Sequence, residues 1–146
     1  MRQIVLVVDG NVHAGKLYKA FIERSGYQVV VTEDPKKALK LARAWQPDLA
    51  IIDMHLAGNA SAWLIESLAT TSENTIRVIL TFCEEIKKTP SLAPHADAII
   101  AKPFDCWQIT TAIDQVLNKT TFSDAKSDST TLLDGDLQRV CASSFA

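Results

Sequence analysis

The sequence predicts a doubly wound α/β fold built on one five-stranded parallel sheet, and three observations carry the prediction. Short apolar runs without polar alternation recur along the chain, as strands buried on both faces require. Segments of helical period lie between them. The two kinds of segment alternate, β then α, and right-handed crossovers fold such a chain into a parallel sheet sandwiched between helices, for which the expected order is the common doubly wound 2-1-3-4-5.

The elements follow in order. Ile4 to Val8 is the first strand. Ala14, Leu17, Tyr18, Phe21 and Ile22 fall on one face of a 3.6-residue period, and Gly26 suits the stop of that helix. Val29 to Val31 is the second strand. Asp34 as N-cap and Pro35 as first helical residue open the next helix, whose apolar face is Ala38, Leu41, Ala42 and Trp45, with Pro47 beyond its end. Leu49 to Ile52 is the third strand, and a helix runs from Ser61 through Leu64, Ile65 and Leu68. Val78 to Leu80 and Ala98 to Ala101 are the remaining strands. Between them, Pro90 and Pro94 leave room for a short or irregular helix in Cys83 to His95. The last helix carries Ile109, Ala112, Ile113, Val116 and Leu117, with Asp105 placed to cap it. After about Lys119 a Thr/Ser/Asp-rich stretch begins that cannot bury enough surface to order itself, so residues 1–119 form the expected domain and 120–146 a flexible tail or linker.

Composition narrows the function. At 146 residues and 47% hydrophobic content the chain supports one domain with a substantial core. A net charge of -2 supplies no basic field, so direct nucleic-acid binding is not expected. No run approaches the roughly 18 apolar residues of a membrane span, and a cytoplasmic location is expected. Cys83, Cys106 and Cys141 are odd in number and widely spaced, unlike a disulfide or zinc framework.

The chemical signal lies at the strand ends. Val8 runs into Asp9, Ile52 into Asp53, Leu80 into Thr81 and Ala101 into Lys102. In an open α/β sheet, ligands bind outside the carboxyl ends of the strands where the winding reverses, so these four residues converge on one crevice. A carboxylate can attack a phosphoryl group as nucleophile, and Asp53 is that candidate. Mg²⁺ on carboxylate oxygens would offset repulsion between the anions, with Asp9 as second ligand. Lys102 would pair with phosphoryl oxygens, and the Thr81 hydroxyl would donate to one.

The stretches Ile4–Asp9, Pro47–Asp53, Val78–Thr81 and Lys102-Pro103-Phe104 together resemble the receiver domain of two-component response regulators, a flavodoxin-like three-layer sandwich, over roughly residues 3–119. The resemblance implies that Asp53 is a phosphoacceptor supplied by a histidine kinase or histidine phosphotransfer protein, and that the switched surface acts on a downstream effector protein. It implies Mg²⁺ held by Asp9, Asp53 and the backbone carbonyl of His55, and a cis peptide between Lys102 and Pro103. His55 and Cys83, two residues after Asp53 and Thr81, occupy positions that tune the lifetime of the phosphorylated state.

Three residues depart from the pattern. Gly10 stands where a second acidic residue usually ligates the metal, which predicts weakened Mg²⁺ binding. Phe82 replaces a small residue after Thr81, where its bulk would either crowd the crevice or block the inward movement of Thr81, and Ile99 replaces the switching aromatic. Ala57 stands where proline is common. A phosphorylation-independent adaptor with a degenerate pocket is the alternative these departures suggest. A covalently turning-over enzyme is a weaker third reading, because no general base or glycine-rich substrate loop accompanies Asp53.

Overall fold

Strand placement follows from burial on both faces. In the structure, a computed structural model describing residues 2–56, 60–71, 75–83, 96–102 and 104–118, the strands are β1 (Ile4–Val8), β2 (Gln28–Thr32), β3 (Leu49–Asp53), β4 (Arg77–Cys83) and β5 (Ala98–Lys102). They form one parallel sheet in the predicted order β2-β1-β3-β4-β5. Central β3 is buried at every position, which is why its sequence shows no polar alternation.

The described helices are α1 (Val12–Arg24), α2 (Pro35–Trp45), α3 (Ala60–Thr71) and α4 (Cys106–Asn118). Their boundaries have local causes. Asn11 caps α1, its Oδ1 accepting from the backbone N–H of His13 at 3.0 Å and Ala14 at 3.2 Å. Gly26, at φ +97°, follows the end of α1 in the left-handed region that glycine enters without strain. Asp34 caps α2 through the Lys36 N–H at 3.0 Å, with Pro35 next, as predicted. At α4 the predicted cap is reinforced in a way the hydrophobic pattern does not announce. Gln108, in the first turn, reaches back and its Oε1 accepts from the Asp105 N–H at 2.7 Å, one half of a capping box.

Two cores flank the sheet. On one face Ala38 and Ala42 of α2 and Leu64, Ile65 and Leu68 of α3 pack over Leu6, Val8, Ala50, Ile52 and Leu80. On the other, Tyr18 and Ile22 of α1 and Ile109, Ile113 and Val116 of α4 pack over Val5, Val7, Leu49, Ile51, Ile79 and Ile100. Trp45, Trp63 and Trp107 are all exposed. No helix among the described residues is long and apolar enough to cross a membrane. The proposed short helix between β4 and β5, the Lys102–Pro103 peptide, Ala57 and the stretch 119–146 lie outside the described residues.

The Tyr27 hydroxyl donates to the Asp114 carboxylate, tying the end of α1 to α4. Burial first, and then the Asp114 hydrogen bond and charge, raise the Tyr27 phenol well above its ordinary value. A proton held more tightly in the folded chain contributes stability that is complete below the unfolded pKa of about 10 and is lost as pH rises through the folded value. Thermal melts between about pH 8 and 11 should therefore fall less steeply for Tyr27→Phe than for wild type. Parallel curves would show that Tyr27 does not set the alkaline limb.

Candidate functional site

Side chains alternate along a strand, so the last residues of the central strands inherit the face of the apolar residues two positions earlier. Asp9 follows Val5 and Val7, Asp53 follows Leu49 and Ile51, Thr81 follows Ile79, and Lys102 follows Ile100, all in the core beneath α1 and α4. The four predicted residues therefore lie on one side of the sheet at its carboxyl edge. Asp53 pairs in register with Thr81 and Cys83 with Lys102.

At this edge Lys102 Nζ donates to Asp9 Oδ2 at 2.9 Å and stands 3.6 Å from Asp53 Oδ2. Its ammonium is the countercharge for two carboxylates that are only 2% and 6% exposed. Burial by itself lowers the Lys102 pKa, but the Asp9 hydrogen bond and charge, with Tyr18 and Asp53 adding, outweigh it and hold the group above its ordinary value. The other oxygens are oriented locally. Asp9 Oδ1 accepts from the Asn11 N–H at 2.8 Å, and Asp53 Oδ1 accepts from the His55 N–H at 3.0 Å. Thr81 is 1% exposed, and its Oγ1 has no hydrogen-bond partner among the described residues. A buried hydroxyl left unsatisfied beside a carboxylate is placed for an acceptor that arrives with a ligand, and a phosphoryl oxygen is such an acceptor.

On the other flank of Asp53 opens a crevice of about 630 Å³, walled by Gly10, Asn11, Glu33, His55 and Leu56. Lys102 is not among its lining residues, so Asp53 borders both the ammonium and an open crevice whose polar groups include Asn11, Glu33 and His55. A Cβ at Gly10 would meet only Leu56 Cδ2, at 4.0 Å, so this space is free where the acidic side chain of the usual pattern would stand. Hard oxygen donors beside such a space suit Mg²⁺ in chemistry.

Phe82 does not crowd this crevice. Strand alternation turns it to the opposite face from Thr81, where it is buried with Leu56, Ile99 and Ala101. An aromatic at position 82 and an aliphatic at 99 thus share one core, with small Ala101 directly across from the ring.

Three contacts were not legible in the sequence pattern. The Ser61 hydroxyl, in the first turn of α3 and 2% exposed, donates to the Asp53 carbonyl at 2.7 Å and fixes the backbone at the end of β3. His55 Nε2 accepts from the Cys83 N–H at 3.0 Å, strapping the segment after β3 to the end of β4. Tyr18 stacks on Phe104, with ring centroids 5.2 Å apart and planes at 26°, and lies in the field of Lys102, Asp9 and Asp53; burial raises its phenol pKa. Ser61→Ala removes the donor to a buried carbonyl and should cost about 1–2 kcal/mol in urea denaturation. A change below about 0.5 kcal/mol would show that the carbonyl finds another donor.

Residues 5–114 match the family model of the response regulator receiver domain. The chain belongs to this family. Among curated relatives, the alkaline phosphatase synthesis transcriptional regulatory protein PhoP of Bacillus subtilis is 28% identical over 88% of the chain and 54% of its own length. The DNA-binding response regulator MtrA of Mycobacterium tuberculosis is 28% identical over 71% of the chain and 46% of its own length. The receiver chain thus spans about half the length of these relatives. Among solved structures, a response regulator receiver protein from Burkholderia phymatum superposes with a TM-score of 0.71 at 21% identity, covering 80% of this chain and 96% of that one. A CheY-like receiver domain from Methylobacillus flagellatus gives 0.71 at 19% identity over 80% and 99%. These structural likenesses bear on the fold, the flavodoxin-like sandwich predicted from the sequence.

Proposed function

We propose that this receiver domain accepts a phosphoryl group on Asp53 from the phosphohistidine of a histidine kinase or histidine phosphotransfer protein, and that the change is read by an effector protein. The observation that carries this reading is the convergence of Asp53 with Lys102 on one flank, the unsatisfied Thr81 hydroxyl beside it and an open crevice on the other flank. In the transfer, an Asp53 oxygen forms the new P–O bond as the P–N bond to the donor imidazole breaks, and the imidazole leaves with the bonding electron pair. Lys102 neutralises charge on the transferring oxygens, and Thr81 donates its hydrogen bond once a phosphoryl oxygen is in place. Mg²⁺, when held by Asp53, the His55 carbonyl and Asp9, would offset repulsion between the carboxylate and the incoming anion.

The departures at positions 82 and 99 sit in the core on the opposite face and leave this constellation intact, which favours the phosphoacceptor over the degenerate adaptor. We assign this activity to residues 1–119, with 120–146 as a tail or linker. The test is to incubate the protein with a small phosphodonor and Mg²⁺ and to measure intact mass. The expected result is one phosphoryl group per chain on Asp53; a folded protein that gains none would return the adaptor to first place.

A further inference from the structure

The crevice beside Asp53 is also lined by Glu33, an exposed acidic residue outside the four strand-end positions. Glu33 directly follows β2, whose register pairs Val8 with Thr32 and whose Thr32 carbonyl accepts from the Asp9 N–H at 3.2 Å. Glu33 therefore stands level with Asp9 at the carboxyl edge of the sheet, and it lines the same cavity as Gly10 and Asp53. Its carboxylate makes no hydrogen bond or ion pair among the described residues. The adjacent Asp34, by contrast, is committed as the cap of α2.

We propose that Glu33 supplies the carboxylate missing at position 10, holding a divalent cation in the crevice through the cation's water shell; this rests on the phosphoacceptor reading of Asp53.

Charge favours a further acid. Asp9 and Asp53 share the single Lys102 ammonium, so the pair retains less negative charge than a dication carries, and another carboxylate in the crevice brings the two nearer balance. Among the described residues lining the cavity, Glu33 and Asp53 are the carboxylates. No three acidic, histidine or cysteine groups among the described residues converge to hold a metal ion by themselves, so a cation in this crevice would keep water among its ligands. Mg²⁺ keeps several of its waters in protein sites, and a carboxylate lining the same crevice can accept hydrogen bonds from them. The buried Thr81 hydroxyl without a partner, in register beside Asp53, is independent evidence that the edge is built for an anionic ligand, and an anion joining Asp53 needs that cation.

The test is a titration of the full chain with Mn²⁺, following the free ion by electron paramagnetic resonance, with Mg²⁺ as competitor. Glu33→Gln should raise the Kd about tenfold, the scale of a lost outer-shell contact. Glu66→Gln, an exposed charge on α3, should leave it unchanged. Gly10→Asp should tighten binding, and in that background Glu33→Gln should cost less than about threefold, because the two carboxylates then do one job. The proposal is overturned if Glu33→Gln binds like wild type while Asp53→Asn binds weakly, an outcome that leaves the Asp53 site standing. It is overturned also if Glu66→Gln loses as much as Glu33→Gln, since the effect would be one of net charge. A wild-type chain that binds neither ion overturns both this proposal and the cation-assisted reading beneath it.

Discussion

Asp53→Asn is expected to yield no phosphoryl adduct under conditions in which the wild-type chain gains one. The amide keeps the shape of the carboxylate and still offers an oxygen to the His55 N–H, which is held at 3.0 Å in the wild type. It loses the anionic oxygen that would form the P–O bond, and with it the attraction to Lys102 Nζ at 3.6 Å. The rate of adduct formation should fall on the order of 10³-fold or more, the scale of a lost nucleophile. Folding is not at stake, since the Ser61 hydroxyl holds the backbone carbonyl of residue 53 and not its side chain. Intact mass with peptide mapping reads the result. An adduct of equal yield on Asp53→Asn would mean that another carboxylate accepts the group, and the assignment of the nucleophile would be wrong.

Lys102→Met is expected to lower stability and phosphoryl acceptance together. Methionine keeps most of the apolar stem but removes the ammonium that donates to Asp9 at 2.9 Å. Asp9 is 2% exposed and Asp53 6%, so two carboxylates are left at one sheet edge without their shared countercharge. Removing one partner of a buried pair costs about 3–5 kcal/mol, and because the Lys102 side chain is 23% exposed we expect a loss nearer 2 kcal/mol. The pH dependence has a definite sign. The Lys102 pKa is raised in the folded chain, so its contribution is complete below the unfolded lysine value of about 10.4 and is lost as pH rises through the folded one. Urea denaturation should show the wild-type advantage over Lys102→Met near neutrality and its disappearance on the alkaline side. Equal stability of the two proteins at pH 7 would mean that the ammonium only breaks even with its desolvation.

The strand-end residues were legible because their positions follow from local signals. An apolar run marks each strand, the residue after it is the site candidate, and the topological rule for parallel sheets brings the ends of β1, β3, β4 and β5 together. Alternation along β4 also decides the side that Phe82 faces, and the expectation that it would crowd Asp53 came from reading its size without its parity. Ser61, Tyr18 and Glu33 belong to another class. Whether the Ser61 hydroxyl reaches the Asp53 carbonyl depends on how α3 is rotated and how closely its first turn approaches β3. Whether Tyr18 meets Phe104 depends on how α1 and α4 pack on the same face. The bond from Cys83 to His55 joins residues 28 positions apart across two strand ends.

The amino-acid sequence carried the fold class and the grouping of Asp9, Asp53, Thr81 and Lys102 at strand ends, whereas the strand order rested on a common doubly wound arrangement and not on local pattern. It carried the first two because hydrophobic period and strand-terminal position are properties of neighbouring residues. It took the packed structure to show that Lys102 bridges the two carboxylates, that the Thr81 hydroxyl has no partner among the described residues, that Phe82 turns away, and that Glu33 borders the space opened at Gly10. Those facts depend on the rotation of helices, the register of strands and the direction of each side chain, which are set when distant segments exclude water from between them.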